Sequence, residues 1–232
     1  MNKYLTLEQI NFFHENGYLH LKKVFTEEEC LETIESAEQA ANGHYTNYLD
    51  MHLKSSAVHE ELTGKKTCDI ADDIFGGVRG IPCGTGYFFC KPNNPLEHGS
   101  VWHQDNYAPK ANFGAYLNLG MVLDDADASN GSLKIIPNFE YNDEGVLVQV
   151  APIGNDCEVP KDLPIIQLEY ERGDVICIHS QLVHKADKNE HPTRWRRKIY
   201  LDYIKDGEPF WPGWTAKRRL LERYDSPNYN KG

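Results

Sequence analysis

The sequence predicts a mainly β domain, a sandwich or jelly roll with α-helices at its N-terminal end. Three features carry the prediction. Two helix-start signals lie close to the N-terminus, at Thr6 and Thr26. From Gly86 onward, short apolar runs alternate with turn residues. The chain also holds 13 Tyr, 9 Phe and 4 Trp beside 18 Gly and 12 Pro, the types that favour strands and turns. Its 232 residues, 40% of them hydrophobic, suffice for one sizeable core, so residues 1–232 are expected to form a single domain. No internal repeat or low-complexity linker divides them.

Thr6 with Gln9 forms a capping box, in which the hydroxyl and the amide each satisfy a backbone N–H that the first turn leaves open. Ile10, Phe12 and Phe13 give that helix an apolar stripe, and Gly17 ends it. Tyr18-Leu19-His20-Leu21 reads as a short strand. Thr26 with Glu29 repeats the cap and opens a second helix carrying Cys30, Leu31 and Ile34. Both helices are expected to pack on the outside of a sheet and to supply stability rather than chemistry. Residues 41–80 show no sustained period and are read as the place for a substrate-covering loop. Strands are expected over 87–90, 101–103, 113–123, 132–136, 146–150, 165–168, 175–178 and 198–204, with turns such as Asn130-Gly131 and Arg172-Gly173-Asp174 between them. Residues 209–214 are aromatic and stiff, and 215–224 are read as a last helix.

A formal charge of -11 opposes binding to a phosphate backbone or an anionic membrane, so no nucleic-acid or membrane partner is expected. The cluster Arg194, Arg196, Arg197, Lys198 runs against that average and leaves room for a small anion. No apolar run approaches the ~20 residues that cross a bilayer. The opening MNKYLTLEQI is polar, so the six cysteines read as reduced thiols of a cytoplasmic protein, a monomer or homodimer. None of them forms a CxxC pair.

His103 and Asp105 are two residues apart, and on an extended strand such residues face the same side, so an imidazole and a carboxylate can converge on one ion. A third ligand must come from elsewhere. His184 and His179 both lie near the predicted strand 175–178, and spacing alone does not choose between them. Two histidines with one carboxylate leave adjacent octahedral positions open, which suits Fe(II), whereas zinc more often takes a tetrahedral set. Taken alone, the His-x-Asp pair is an ordinary polar pair and the arginine cluster a solvated edge.

The motifs together resemble the phytanoyl-CoA dioxygenase family of Fe(II) and 2-oxoglutarate-dependent oxygenases. The similar stretches are Trp102-His103-Gln104-Asp105-Asn106-Tyr107; Leu123-Asp124-Asp125-Ala126-Asp127-Ala128-Ser129-Asn130-Gly131-Ser132-Leu133 with Ile136-Pro137; Gly173-Asp174-Val175; and His179-Ser180-Gln181-Leu182-Val183-His184, followed by Asn189 and Arg196. Phe13-His14-Glu15-Asn16-Gly17-Tyr18 resembles the family's opening. The resemblance implies a double-stranded β-helix, a cupin-like jelly roll, with His103, Asp105 and His184 as catalytic metal ligands and His179 as a core group. It implies Arg196 as the partner of the 2-oxoglutarate C5 carboxylate, with one residue inserted relative to the usual spacing and Arg194 and Arg197 as fallbacks. Strand alternation groups Arg196 with Lys198 and Tyr200, and Arg197 with the more apolar Ile199 and Leu201. Asn138-Phe139-Glu140 and Ala186 depart from the family's Gly-Ser-His and serine.

The implied activity is oxidation by O2, most simply hydroxylation, of a small polar metabolite or natural-product intermediate, coupled to decarboxylation of 2-oxoglutarate. A carboxylate at Asp105 argues against halogenation, which needs a small residue there. Tyr87, Trp102, Asn106, Tyr107 and Asn118 are the expected pocket lining. The competing readings are a metal-binding jelly roll without redox chemistry and a degenerate interaction module using the aromatic C-terminal stretch.

Overall fold

Helix α1 (Leu7–Asn16) begins at the expected capping box, with both Thr6 and Gln9 bonds made, and ends at Gly17, whose φ of 76 lets its N–H reach the Phe13 carbonyl. The computed structural model of the chain describes residues 4–45, 47–94, 99–107, 109–137, 151–153, 156–159, 163–213 and 217–229. Strand β1 (Tyr18–Leu21) follows, then α2 (Glu27–Ala41), capped by Thr26 and Glu29 as expected. Its buried stripe is Cys30, Thr33, Ile34, Ala37 and Ala41, spaced as one helical face, while Leu31 is turned to solvent.

Residues 41–80 are not a covering loop. They form β2 (Tyr48–Leu49), a short 3-10 turn, and helices α3 (Ser56–Thr63) and α4 (Lys65–Ile74), with Met51, Val58, Leu62, Cys68 and Ile70 fully buried. Three buried aspartates on α4 hid its period. Asp72 takes a two-pronged bond from Arg223 at 2.7 and 2.9 Å. Asp73 caps the N–H groups of Tyr4 and Leu5, and Asp69 accepts from Lys65 and from the Tyr224 hydroxyl. Buried carboxylates with full sets of donors are compatible with a core that a hydrophobic count rejects.

The remaining strands are β3 (Gly80–Phe88), β4 (Tyr116–Val122), β5 (Leu133–Ile135), β6 (Ala151–Ile153), β7 (Asp156–Glu158), β8 (Ile166–Gln167), β9 (Val175–His179), β10 (His184–Ala186) and β11 (Lys198–Lys205). They build an antiparallel six-stranded sheet, β1-β9-β4-β11-β3-β2, a facing sheet β10-β5-β8, and a β6-β7 hairpin. This is the jelly roll expected. Strand β3 starts seven residues before the strand predicted at 87, because Gly80, Pro82, Gly84 and Gly86 read as turn residues. Gly80 is needed for contact rather than for a turn, since a Cβ there would lie 2.6 Å from the Ala71 Cβ of α4. The strand expected at 146–150 lies outside the described residues. The helix expected over 215–224 is absent among its described residues; Arg219 and Leu221 instead donate to the Cys83 and Pro82 carbonyls along β3.

Alternation divides the core in two. Leu117, Leu119, Met121, Cys177, Ile199, Leu201 and Tyr203 point from the large sheet toward the helices. Val122, Ile176, Ile178 and Tyr200 point from its other face toward Leu133, Ile135 and Leu168 of the facing sheet. Both faces of β4, β9 and β11 are therefore covered, which explains their near-continuous apolar runs. Cys30, Cys68, Cys83, Cys90 and Cys177 are free thiols. Among the described residues, no helix is long and apolar enough to cross a membrane.

Candidate metal centre

His184 opens β10, and its backbone exchanges both hydrogen bonds of an antiparallel bridge with His103, each 3.0 Å. The strand expected at 101–103 is thus a single bridge, and Asp105 begins the 3-10 turn Asp105–Tyr107 rather than continuing a strand. The expected convergence survives because the bridge, not strand pleat, brings the histidines together. Their ring centroids are 4.3 Å apart. Asp105 Oδ1 lies 3.5 Å from His103 Nε2, and Oδ2 lies 3.5 Å from His184 Nε2. One ligand atom from each of the three residues falls within 4.8 Å of the others.

Hydrogen bonds behind the rings select the tautomer. His103 Nδ1 lies 2.7 Å from the Val101 carbonyl and His184 Nδ1 lies 2.9 Å from the Leu182 carbonyl. A carbonyl only accepts, so each Nδ1 carries the hydrogen and each Nε2 presents a lone pair to the cluster. Asn118 on β4 donates through Nδ2 to Asp105 Oδ2, which orients the carboxylate. Burial lowers the His184 imidazole to about 4, so it is neutral at physiological pH. Burial pulls His103 down as well, but hydrogen bonding and charge attraction from Asp105 leave it raised. Burial favours the neutral Asp105 acid, yet attraction to His184 and His103, and more weakly Arg218, holds it well below the usual carboxylate range. Two neutral imidazole nitrogens and one carboxylate fit a divalent first-row metal, and a proton on Nε2 competes for the same position.

His179 does not join this cluster. It lies at the end of β9 between Phe13 and Phe113, its Nδ1 accepts from the Gln181 N–H at 3.2 Å, and burial lowers it to about 4. It is a core histidine.

A cavity of about 300 Å³ opens beside the ligands, with His103, His184, Ser100, Arg196, Lys198 and Tyr200 in its wall. Two wider surface hollows, each about 620 Å³, contain none of the three ligands. Arg196 is 1% exposed and donates through Nη2 to the Asp187 carbonyl at 2.9 Å. The other candidate arginines are committed elsewhere. Arg197 forks onto Asp124 at 2.7 and 2.8 Å and reaches Glu38 at 2.8 Å. Arg194 binds Asp127 at 2.7 Å. Alternation sets the family register's choice, Arg196, apart from the more apolar row of Arg197, and Arg196 shares the cavity wall with Lys198 and Tyr200.

The expected pocket lining is corrected in part. Tyr87 is fully buried on the helix side, 4.4 Å from the Phe89 ring. Trp102 packs with Ile136 and Val183. Asn106 braces its own turn through both bonds to Ala111. Only Asn118 reaches a ligand; the Tyr107 side chain lies outside the described residues, as do Asn138, Phe139 and Glu140. Ala186 lines the cavity where the family carries serine, and its N–H donates to Ser100 Oγ at 2.8 Å, so a hydroxyl stands beside it. Lys198 and Tyr200 were recoverable from alternation on β11; Ser100 carried no sequence signal.

The family described as phytanoyl-CoA dioxygenase (PhyH) matches residues 13–198. Phytanoyl-CoA dioxygenase 1 of Oryza sativa subsp. japonica is 24% identical over 231 residues, covering 95% of this chain and 73% of the rice protein. The 2-aminoethylphosphonate dioxygenase of Uncultured bacterium HF130_AEPn_1 is 26% identical over 261 residues, covering 98% of this chain and 94% of that one. Among solved structures, the non-heme alpha ketoglutarate dependent carbocyclase SnoK from nogalamycin biosynthesis superimposes with a TM-score of 0.73 at 19% identity, over 90% of this chain and 87% of SnoK.

Proposed function

Because the chain belongs to the phytanoyl-CoA dioxygenase family, we propose that residues 1–232 act as a single Fe(II)/2-oxoglutarate-dependent dioxygenase domain, with His103, Asp105 and His184 holding the metal and Arg196 the cosubstrate. The observation that carries this reading is the trio of ligand atoms within 4.8 Å, its imidazole tautomers fixed from behind, opening onto a cavity that contains Arg196. When bound, Fe(II) with 2-oxoglutarate and O2 supplies oxidative decarboxylation to succinate and CO2 and the oxidising power to attack one C–H bond of a second substrate.

The chain's own residues do the rest. His103, Asp105 and His184 would hold the metal with three protein ligands and leave room for exchangeable ones. Asn118 keeps the Asp105 carboxylate turned toward the two Nε2 atoms. The guanidinium of Arg196 matches a carboxylate in a two-pronged, charge-assisted pair, and Lys198 adds a second cation to the same wall. A dianion therefore enters that end of the cavity with both charges answered, in a protein whose overall charge is -11. Burial of Arg196 and His184 keeps water from that contact and strengthens it.

A small polar substrate fits better than a large acyl thioester. The chain spans nearly the whole aminophosphonate-oxidising relative but only 73% of the rice relative, and the cavity of about 300 Å³ must also admit the cosubstrate. Hydroxylation is the reaction that the carboxylate at Asp105 favours.

Anaerobic addition of Fe(II) and 2-oxoglutarate tests the reading through the weak visible charge-transfer band of the chelate. Wild type and His179→Leu should show it, His184→Ala and Asp105→Ala should lose it, and Arg196→Ala should raise the 2-oxoglutarate concentration required. An unchanged titration for Arg196→Ala would remove that residue from its role. Succinate release stimulated by 2-aminoethylphosphonate or another small polar metabolite would support the substrate class, and coupling to acyl-CoA alone would overturn it.

A further inference from the structure

Beyond Tyr200, the inward face of β11 carries Asp202, four residues from Lys198 and so roughly 13 Å further along the strand. Its Cα partner on β4 is Asn118, whose side chain holds the metal ligand Asp105. Directly opposed residues share a face, so Asp202 stands one side chain from the metal ligands, at the end of the face remote from Arg196. Its Cα partner on the other flank is Gly84. A Cβ at Gly84 would come within 3.3 Å of Asp202 Oδ2 and 3.4 Å of Arg218 Cγ, so the missing side chain makes room for both.

Arg218 arrives from the C-terminal segment, held by its own N–H on the Pro212 carbonyl and by the neighbouring Arg219 N–H on Cys83. Its Nε donates to the Tyr116 hydroxyl at 2.9 Å and lies 3.9 Å from Asp202 Oδ2. Among the described residues, the two Nη groups of Arg218 have no hydrogen-bond partner, although its side chain is only 12% exposed. Burial raises the Asp202 carboxyl to about 6 in spite of Arg218, so this carboxylate is incompletely compensated. The pair is close to electrically neutral, shares a sheet face with Asn118, which holds Asp105, and leaves hydrogen-bonding capacity on Arg218.

We propose that Asp202 and Arg218, braced by Tyr116, form the recognition site for the primary substrate, and that this substrate is a small zwitterion, its ammonium on Asp202 and its carboxylate, phosphonate or sulfonate on Arg218. The inference rests on the dioxygenase reading above and adds the substrate's charge pattern to it. A ligand with one charge would pair with one partner and draw it from the other, leaving a largely buried ion uncompensated. A zwitterion answers both at once and adds no net charge to the site. The ordering along β11 assigns opposite ends of the face to the two organic ligands, with Arg196 and Lys198 for the dianionic cosubstrate and Asp202 for the zwitterion.

Calorimetric titration of the full chain, anaerobic and with Fe(II) and 2-oxoglutarate present, tests this with 3-aminopropanoate and 2-aminoethanesulfonate against propylamine, propanoate and ethanesulfonate. The zwitterions should bind at least about tenfold more tightly than the singly charged compounds. Arg218→Met should lose the discrimination against propylamine, Asp202→Asn that against the two acids, and Arg218→Lys should recover part of the wild-type preference. A purely structural pair would lower the melting temperature of the variants without moving these ratios. Wild-type affinities that do not rank zwitterions first would overturn the proposal whatever the variants do. The charge-transfer band in the same cell separates the two claims. A band without zwitterion preference refutes only the substrate assignment, whereas zwitterion preference without a band supports the assignment and refutes the cosubstrate.

Discussion

Replacing Lys198 by methionine should move two affinities in opposite directions. The ammonium is 7% exposed as a residue, donates to the Tyr200 hydroxyl at 2.8 Å and lies over the Tyr200 and Phe88 rings at 4.6 and 5.7 Å. Its charge lowers the pKa of both His103 and His184, so the same charge opposes a divalent metal on those nitrogens. It shares the cavity wall with Arg196, where a carboxylate is expected. Unit charges ~7 Å apart at an effective dielectric of ~20 interact by about 2.4 kcal/mol. Screening by the remaining groups leaves ~1–2 kcal/mol, or roughly a 5- to 30-fold weaker 2-oxoglutarate complex in Lys198→Met. Fe(II) should bind a few-fold more tightly in the absence of cosubstrate. Methionine keeps the apolar stem on the two rings, so packing loss should not obscure the result. Band titration with 2-oxoglutarate and competition with a metal chelator read the two constants, and Lys198→Arg should restore the first. A 2-oxoglutarate constant within twofold of wild type would refute the placement of the cosubstrate in this cavity.

Arg197→Ala should destabilise the fold by roughly 2–4 kcal/mol in urea titration, because Asp124 loses its forked partner in a largely buried place, while the folded variant keeps its 2-oxoglutarate affinity. Gly80→Ala should lower stability by about 1–3 kcal/mol in the same assay, since the new Cβ would meet Ala71 at 2.6 Å and force β3 from α4. Burial and the charges of Glu29, Glu60 and Glu32 raise the Glu61 carboxyl to about 8, against an unfolded value near 4.5. The native state therefore binds more protons across that window, and stability should fall as pH rises from about 4.5 through 8. Glu61→Gln should flatten that slope in melting curves recorded across the range, and an unchanged slope would count against the half-buried, protonated carboxyl.

What the sequence discloses depends on how local the cause is. The caps at Thr6 and Thr26 are legible because the partner is three residues away, and both helices start where those boxes put them. Helices α3 and α4 are not, because Asp69, Asp72 and Asp73 take partners as remote as Arg223, Tyr224 and the Tyr4 N–H, and no local pattern announces a paired buried acid. The start of β3 is hidden for the related reason that its glycines answer to α4 and to the C-terminal segment, which lie far away in sequence. Of the metal ligands, His103 and Asp105 are visible as a pair, although the device that unites them with His184 is a backbone bridge and not the strand the spacing suggests.

The contest between Arg196 and Arg197 shows why apolar character alone misleads on a central strand. Ile199, Leu201 and Tyr203 make one side of β11 the apolar side, but that side is covered by the helices, and the less apolar side faces the metal. A sheet covered on both faces has no solvent side for polar residues to mark, so a polar row within it needs another explanation. On β11 that row reads Lys198, Tyr200, Asp202, with Arg196 just before it and the metal ligands alongside. The charge changes sign along the row, from cations at the Arg196 end to a carboxylate at the other. Each buried charge is costly unless something answers it, and the protein answers Asp202 only in part, with Arg218 at 3.9 Å. Two ligands of different charge pattern, one at each end of the strand, account for a polar row that folding alone would disfavour.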